Sequence, residues 1–176
     1  NSLEEAKNVP PLSEAIKVLE FPRQKRKPFR CIADFFANDR LDVIAFTLAS
    51  AGLKISDYER SLYDKGEFTK YYQVHGLGVE LAEALAEVLH KQIRLDLDIV
   101  PKEGHTLNDV QMKQYVGCRY SPGYAACPDL AMNRDIFDLL KPEEFGIELS
   151  ETFQMHPEQT TCAIVVTHKE ANYYNI

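Results

Sequence analysis

Between Val79 and Ile93 the residues Leu81, Leu85, Val88, Leu89 and Ile93 recur at helical spacing, with small alanines filling the positions between them. This is the strongest periodic signal in the chain. It predicts an amphipathic helix with one apolar face, and it puts Glu80, Glu83 and Glu87 on other faces. Glu87 and Lys91 stand at the i,i+4 spacing of a helical ion pair. Taken by itself, each glutamate belongs to a solvated helix face. Gly76 and Gly78 precede the periodic run and would let its first half approach another element closely.

The other segments are shorter. Val43–Ala49 is rich in β-formers, and Cys31–Phe36 is apolar enough for a strand or a strand end. Residues 147–155 and 161–168 predict two strands, joined as an antiparallel hairpin through His156-Pro157-Glu158-Gln159. The run Cys162–Val166 is apolar enough to be central in a sheet. Helices are expected around Leu12–Leu19 with Ser13 as cap, and from Ser56, where Ser56-x-x-Glu59 matches a capping box. Two more are expected, one from Thr106-x-x-Asp109 to about Tyr115 and one from Arg134 to Lys141, which stops at Pro142. There are no repeats and no βαβ rhythm. The fold class is therefore α+β: a twisted antiparallel sheet flanked by helices in a single domain. Residues 1–28 read as an N-terminal helix and basic linker, and 29–176 as the domain proper. The basic run Arg23–Arg30 reads first as a solvated loop and second as a patch for an acidic partner.

One loop concentrates chemistry. Gly117-Cys118-Arg119-Tyr120-Ser121-Pro122-Gly123-Tyr124-Ala125-Ala126-Cys127-Pro128 packs a guanidinium and two phenols among prolines and glycines. Pro122-Gly123 is turn chemistry, with glycine supplying the positive φ of a type II turn. A rigid loop carrying Arg119, Tyr120 and Tyr124 suits a ligand with a carboxylate at one end and a ring or cation at the other.

Composition narrows the function classes. A net charge of −7 over 176 residues disfavours nucleic acid as a partner. No apolar run approaches the length of a membrane span, and no leader pattern is visible. Four cysteines lie far apart without a C-x-x-C pair, as expected for free thiols in a reducing cytoplasm. The five histidines show no metal-ligand spacing, and there is no G-x-S-x-G elbow, Walker loop or G-x-G-x-x-G motif. No acid, base or nucleophile declares itself, and Cys127 reads as a structural thiol. From the residues alone, this is a ligand-binding loop on an α+β domain.

At that loop a resemblance becomes specific. Arg119-x-x-x-Gly123-Tyr124 with Ala126-Cys127-Pro128 resembles the R-x-x-x-G-Y signature of the activation domain of cobalamin-dependent methionine synthase. Cys31–Phe35 resembles that family's C-L-A-D-F segment. Leu81–His90 resembles its L-A-E-A-F-A-E-x-L-H helix, and Gly146–Met155 its I-G-x-x-L-T-E-S-F-x-M segment. The stretch from His168 to Tyr174 ends on the same doubled aromatic. The likeness runs in the family's order across residues 29–174.

The resemblance implies an S-adenosylmethionine (AdoMet) site. Arg119 would anchor the ligand's carboxylate, and Glu83 would face its ammonium. Gly123 and Tyr124 would shape the pocket with backbone at Ala126, and Tyr173 and Tyr174 would close it. It also implies a methyltransferase module with no catalytic residue or metal of its own. Its AdoMet would reductively methylate cobalamin held by a partner domain or chain, with the electron coming from flavodoxin or a flavin reductase. An AdoMet-binding regulatory module without methyl transfer is the alternative. Two departures stand out. The family's N-terminal aspartate contact has no counterpart in residues 1–30, and Tyr-Ser-Pro replaces Pro-Ala-Pro after Arg119.

Overall fold

A computed structural model describes residues 14–99, 106, 108 and 115–176. Its centre is a three-stranded antiparallel sheet of order β1-β5-β2, made of Ala45–Ser50 (β1), Cys118–Tyr120 (β2) and Thr160–Val166 (β5). β5 is buried along almost its whole length, as a strand paired on both edges and covered on both faces must be. Register sorts its side chains. Thr47 lies opposite Ala163, Phe46 opposite Ile164, Tyr120 opposite Ile164 and Arg119 opposite Val165. Directly paired residues share a face and neighbours alternate. One face therefore carries Thr47, Ala163, Val165 and Arg119; the other carries Tyr120, Cys162, Ile164 and Val166.

The second face holds the main core. Tyr120, Ile164 and Val166 pack there with Ile32, Met132 and Ile136. Met132 and Ile136 come from a nine-residue helix, Met132–Leu140, labelled α3 below. It ends at Lys141 in the left-handed region, ahead of a 3-10 turn at Pro142–Phe145. The first face is covered by α2 (Phe68–Asp96), which packs on β1 and β5 and is braced from outside by α1 (Leu53–Asp64).

The buried side of α2 is Gly78, Ala82, Ala86, His90 and Arg94, one residue every four. The leucines of the periodic run lie on its outer flanks: Val88 is 64% exposed and Leu81 40%. At Gly78, Ala82 and Ala86 small residues take the inner face, where they let the helix backbone lie close to its neighbours. A Cβ added at Gly78 would stand 2.9 Å from Gln159 Cγ and 3.2 Å from Ile55 Cγ2. The helix is also longer than its periodic run, so Gly76 and Gly78 lie inside it.

Several local expectations change. Cys31–Phe36 is a 3-10 turn (Ile32–Phe35), because the Asp34 carboxylate reaches back to accept from the Cys31 amide at 3.2 Å. Helix α1 starts at Leu53 after Gly52, so Ser56 is internal, and Glu59 is buried rather than capping. The hairpin near His156 pairs Glu148–Leu149 (β3) with Met155–His156 (β4), while β5 returns to the main sheet. Residues 15–20 form no regular element. Leu12 and Ser13 lie outside the described residues, as does nearly all of the segment expected to be helical before Tyr115. The core position of β5 and the α+β architecture agree with the sequence reading.

Two basic side chains of the Arg23–Arg30 run are taken up internally. Arg23 clasps Asp34 at 2.5 and 2.6 Å, and Arg30 donates to the Asn172 side chain at 2.7 Å. Gln24 donates to the Asn175 carbonyl at 2.6 Å, so this loop braces the C-terminal tail. No described helix is long and apolar enough to cross a membrane.

Candidate functional site

Because Arg119 faces α2, its guanidinium meets the helix side where the glutamates stand. Arg119 Nη2 lies 2.8 Å from Glu87 Oε1 and 3.9 Å from Glu83 Oε2, and Nη1 donates to the Ala86 carbonyl at 3.4 Å. Glu87 therefore turns inward to Arg119 rather than along the helix to Lys91. The Tyr115 hydroxyl donates to the same carboxylate, 3.2 and 3.1 Å from its two oxygens. Burial raises the pKa of Glu87, but the Arg119 hydrogen bond and charge and the Tyr115 hydroxyl outweigh it and hold the group below the usual carboxylate value. Tyr115 is pushed up to about 12, by burial first and by the Glu87 charge second. Beneath this pair, the Arg94 guanidinium stacks 4.1 Å from the Tyr115 ring centre, and His90 meets the same ring edge-on.

Arg119 and Glu83 open into a cleft of about 350 Å³ between α2 and the sheet, with Tyr124, Tyr173, Thr161 and Cys118 among its walls. A smaller cavity of about 170 Å³ adjoins it and shares Glu83, Ser121, Tyr124, Thr161 and Cys162. Tyr124 thus stands between the two. It is 62% exposed, held by a tight turn in which the Gly123 amide donates to the Cys127 carbonyl and the Cys127 amide to the Tyr124 carbonyl. Gly123 has φ +87°, so the turn calls for glycine; a Cβ there would also stand 2.9 Å from Leu130 Cδ1, a side-chain end that would have to shift.

The C-terminal tail forms the remaining wall. The Tyr120 hydroxyl donates to the Asn172 carbonyl at 2.8 Å, and the Tyr120 ring lies between Tyr173 (6.4 Å, stacked) and Tyr174 (6.0 Å, tilted). Tyr173 reaches the cleft. Tyr174 is buried in the core on the far side, where burial pushes its hydroxyl up to about 12.

The structure thus gathers Glu83, Arg119, Tyr124 and Tyr173 at one cleft. Gly123 shapes the Tyr124 turn, Ala126 is fully buried in the core beneath it, and Tyr174 backs the tail rather than lining the cavity. Glu87 and Tyr115 were not singled out by sequence as site residues. Only the β2–β5 register and the packing of α2 bring them to Arg119. Cys127 and Cys162 are buried, and burial raises their thiols to about 11 and about 12, which suits packing and not nucleophilic work. Among the described residues no cluster of three His, Cys, Asp or Glu could hold a metal.

Chemically, the cleft offers a cation and an exposed carboxylate a few ångströms apart, flanked by aromatic faces. That set complements an amino-acid zwitterion joined to a flat or cationic group.

Comparison with known proteins gives the same direction. The family model described as "Vitamin B12 dependent methionine synthase, activation domain" matches residues 10–176. Methionine synthase of Mycobacterium tuberculosis is 41% identical over 169 residues, and that of Mycobacterium leprae 40%. Each alignment covers 89% of this chain and 14% of the synthase, so the chain spans a small part of either relative's length. A crystal structure of the MetH reactivation domain bound to AdoHcy superposes with a TM-score of 0.84 at 28% identity. It covers 91% of this chain, which in turn covers 52% of that one.

Proposed function

The chain belongs to the vitamin B12 dependent methionine synthase activation-domain family, and from that premise we propose that its cleft binds AdoMet and presents the methyl group for reductive methylation of cobalamin. The observation that carries the proposal is the meeting of Arg119 and Glu83, 3.9 Å apart, at a cleft walled by Tyr124 and Tyr173. The related reactivation domain with AdoHcy bound supports the same ligand class.

Arg119 receives the ligand's carboxylate, and Glu83, 54% exposed in the cleft, receives its ammonium. The face of Tyr124 or Tyr173 favours the adjacent positive charge by roughly 0.5–2 kcal/mol. AdoMet supplies a methyl group already activated on a sulfonium, so this chain needs no acid, base or nucleophile. Its residues hold and orient the donor, which is catalysis by proximity. Cobalamin is held by a partner domain or chain, a flavodoxin or flavin reductase supplies the electron, and the setting is cytoplasmic.

Calorimetry with AdoMet on this chain and on Arg119→Ala tests the site. Saturable binding by the wild type, weakened at least about tenfold by the substitution, is expected from loss of a charge-assisted contact. Methyl-labelled AdoMet, incubated with the chain, a cobalamin-binding partner and a one-electron reductant, tests the transfer. Label on the corrin is expected; binding without label would instead make the chain a regulatory AdoMet module.

A further inference from the structure

The two glutamates beside Arg119 are not equivalent. They stand four residues apart on α2, but Glu87 touches the guanidinium at 2.8 Å and its side chain is 24% exposed, whereas Glu83 stays at 3.9 Å and is 54% exposed. Glu87 is also held from behind, because the Tyr115 hydroxyl bonds both of its oxygens. Tyr115 is itself held in a stack with Arg94 and His90, both fully buried. Arg119 gains a further tie to the Ala86 carbonyl. The inner carboxylate is thus fixed to the arginine, and the outer one is left facing the cleft.

We propose that Glu87 is the positioning residue of this cleft: with Tyr115 behind it, it holds the Arg119 guanidinium so that its remaining N–H groups are aimed at a ligand carboxylate. The inference rests on the AdoMet reading above and deepens it. A guanidinium has five donors in one plane, so fixing one edge with a carboxylate directs the others. The same contact pre-orders a long side chain that would otherwise lose its rotamer freedom on binding. The amino-acid end of the ligand is then read by two separate groups, its carboxylate through Arg119 as aligned by Glu87 and its ammonium through Glu83. A purely structural ion pair makes the opposite prediction, since partial neutralisation of Arg119 would weaken its hold on an anion and removing Glu87 would improve binding.

The experiment compares AdoMet with decarboxylated AdoMet, which keeps the sulfonium, adenosine and amine but lacks the carboxylate. Both are titrated by calorimetry into wild type, Glu87→Gln, Glu83→Gln and Arg119→Ala, with thermal melting as the check on folding. Glu87→Gln is expected to lose roughly tenfold in affinity for AdoMet, the size of one impaired charge-assisted contact, and to bind the decarboxylated compound within about twofold of wild type. Glu83→Gln is expected to weaken both compounds alike. If Glu87→Gln does not fold, Glu87→Asp carries the test, because it keeps the charge and shortens the reach; a loss confined to AdoMet is again expected. Unchanged or tighter AdoMet binding by the Glu87 variants, or equal loss of both compounds in a folded variant, overturns the inference. If the Arg119 variant loses AdoMet while the Glu87 variants do not, the reading of the cleft stands and only the role of Glu87 falls. If wild type binds neither compound, both fall together.

Discussion

The Tyr120 hydroxyl donates to the Asn172 carbonyl at 2.8 Å, joining the residue after Arg119 to the residue before Tyr173. One strand thus sends Arg119 to the cleft side of the sheet and uses its neighbour, on the other side, to hold the tail that completes the cleft. Tyr120→Phe keeps the ring, so its stacking on Tyr173 survives while the tether is cut. The expected stability loss is about 1 kcal/mol, a typical single hydrogen bond. AdoMet affinity should fall modestly as well, because the tail loses a tie next to Tyr173, although the stacking and the Arg30 and Gln24 bonds to the tail remain. Denaturant melts and calorimetry on the same variant separate the two effects; a melt shift with unchanged affinity would show that the tether does not serve the cleft.

Two glycines in α2 should respond in opposite directions to the same substitution. Gly76 has open space around its missing Cβ and is exposed, so Gly76→Ala is expected to stabilise the chain by roughly 0.5–1 kcal/mol through helix propensity alone. At Gly78 the added carbon meets Gln159 Cγ at 2.9 Å. Gln159 cannot retreat easily, because its amide donates to the buried Glu59 carboxylate at 2.6 Å and contacts His75 Nδ1 at 3.1 Å. Gly78→Ala should therefore destabilise by about 1–3 kcal/mol despite the same propensity gain. Chemical denaturation of the two variants side by side provides the comparison.

That contrast shows what was legible in the sequence and what was not. Leucines at 81, 85 and 89 and small residues at 78, 82 and 86 share the same helical period, so periodicity located the helix but could not tell which row faces the sheet. Close approach to β5 decides it, and that is a tertiary fact. The Arg119 loop was legible because proline fixes φ locally and glycine readily tolerates the positive φ that must follow, as Gly123 shows at +87°. Glu87 was not legible. A glutamate on a helix looks solvated until a strand brings in an arginine from 32 residues further along the chain. Ser56-x-x-Glu59 had capping spacing without a cap, since Gly52 opens the helix earlier. Cys31-x-x-Asp34 had the same kind of spacing inside an apolar run and does close a turn.

Thiol chemistry should divide by position. Cys127 and Cys162 are buried, with thiols raised to about 11 and about 12, so at mildly alkaline pH almost none of either is thiolate. Cys162 also donates to Asn133 Oδ1 at 3.0 Å. Treatment of the native chain with an alkylating reagent, followed by peptide mass mapping, is expected to leave both unmodified. Both should label when the chain is unfolded. Fast native labelling of either would contradict the packing around α3 and β5.

Acid should weaken this fold earlier than its carboxylates alone would allow, and His90 is the reason. Burial first, then the charges of Arg94 and Arg119, depress its pKa from 6.5 to about 3, against a smaller opposing pull from Glu87. The folded state therefore keeps His90 neutral while the unfolded chain protonates it. The unfolded state binds the extra proton between those two values, so stability is fully present above about 6.5 and is lost as pH falls toward 3. At full slope one proton is worth about 1.4 kcal/mol per pH unit. The carboxylates held below their usual values, Asp34, Glu67, Glu87 and Asp138, start from 3.8 or 4.5, so the interval between 6.5 and 4.5 isolates the histidine among these groups. Neither ring nitrogen of His90 has a hydrogen-bond partner among the described residues, so His90→Leu sacrifices none of their hydrogen bonds and removes a polar group buried without one there. Urea melts at a series of pH values are expected to show wild-type stability falling across that interval and the variant staying nearly level, with little difference between them at neutral pH. A variant whose decline parallels the wild type would mean that His90 takes up its proton in the folded state and that the stack with Tyr115 and Arg94 opens to admit it.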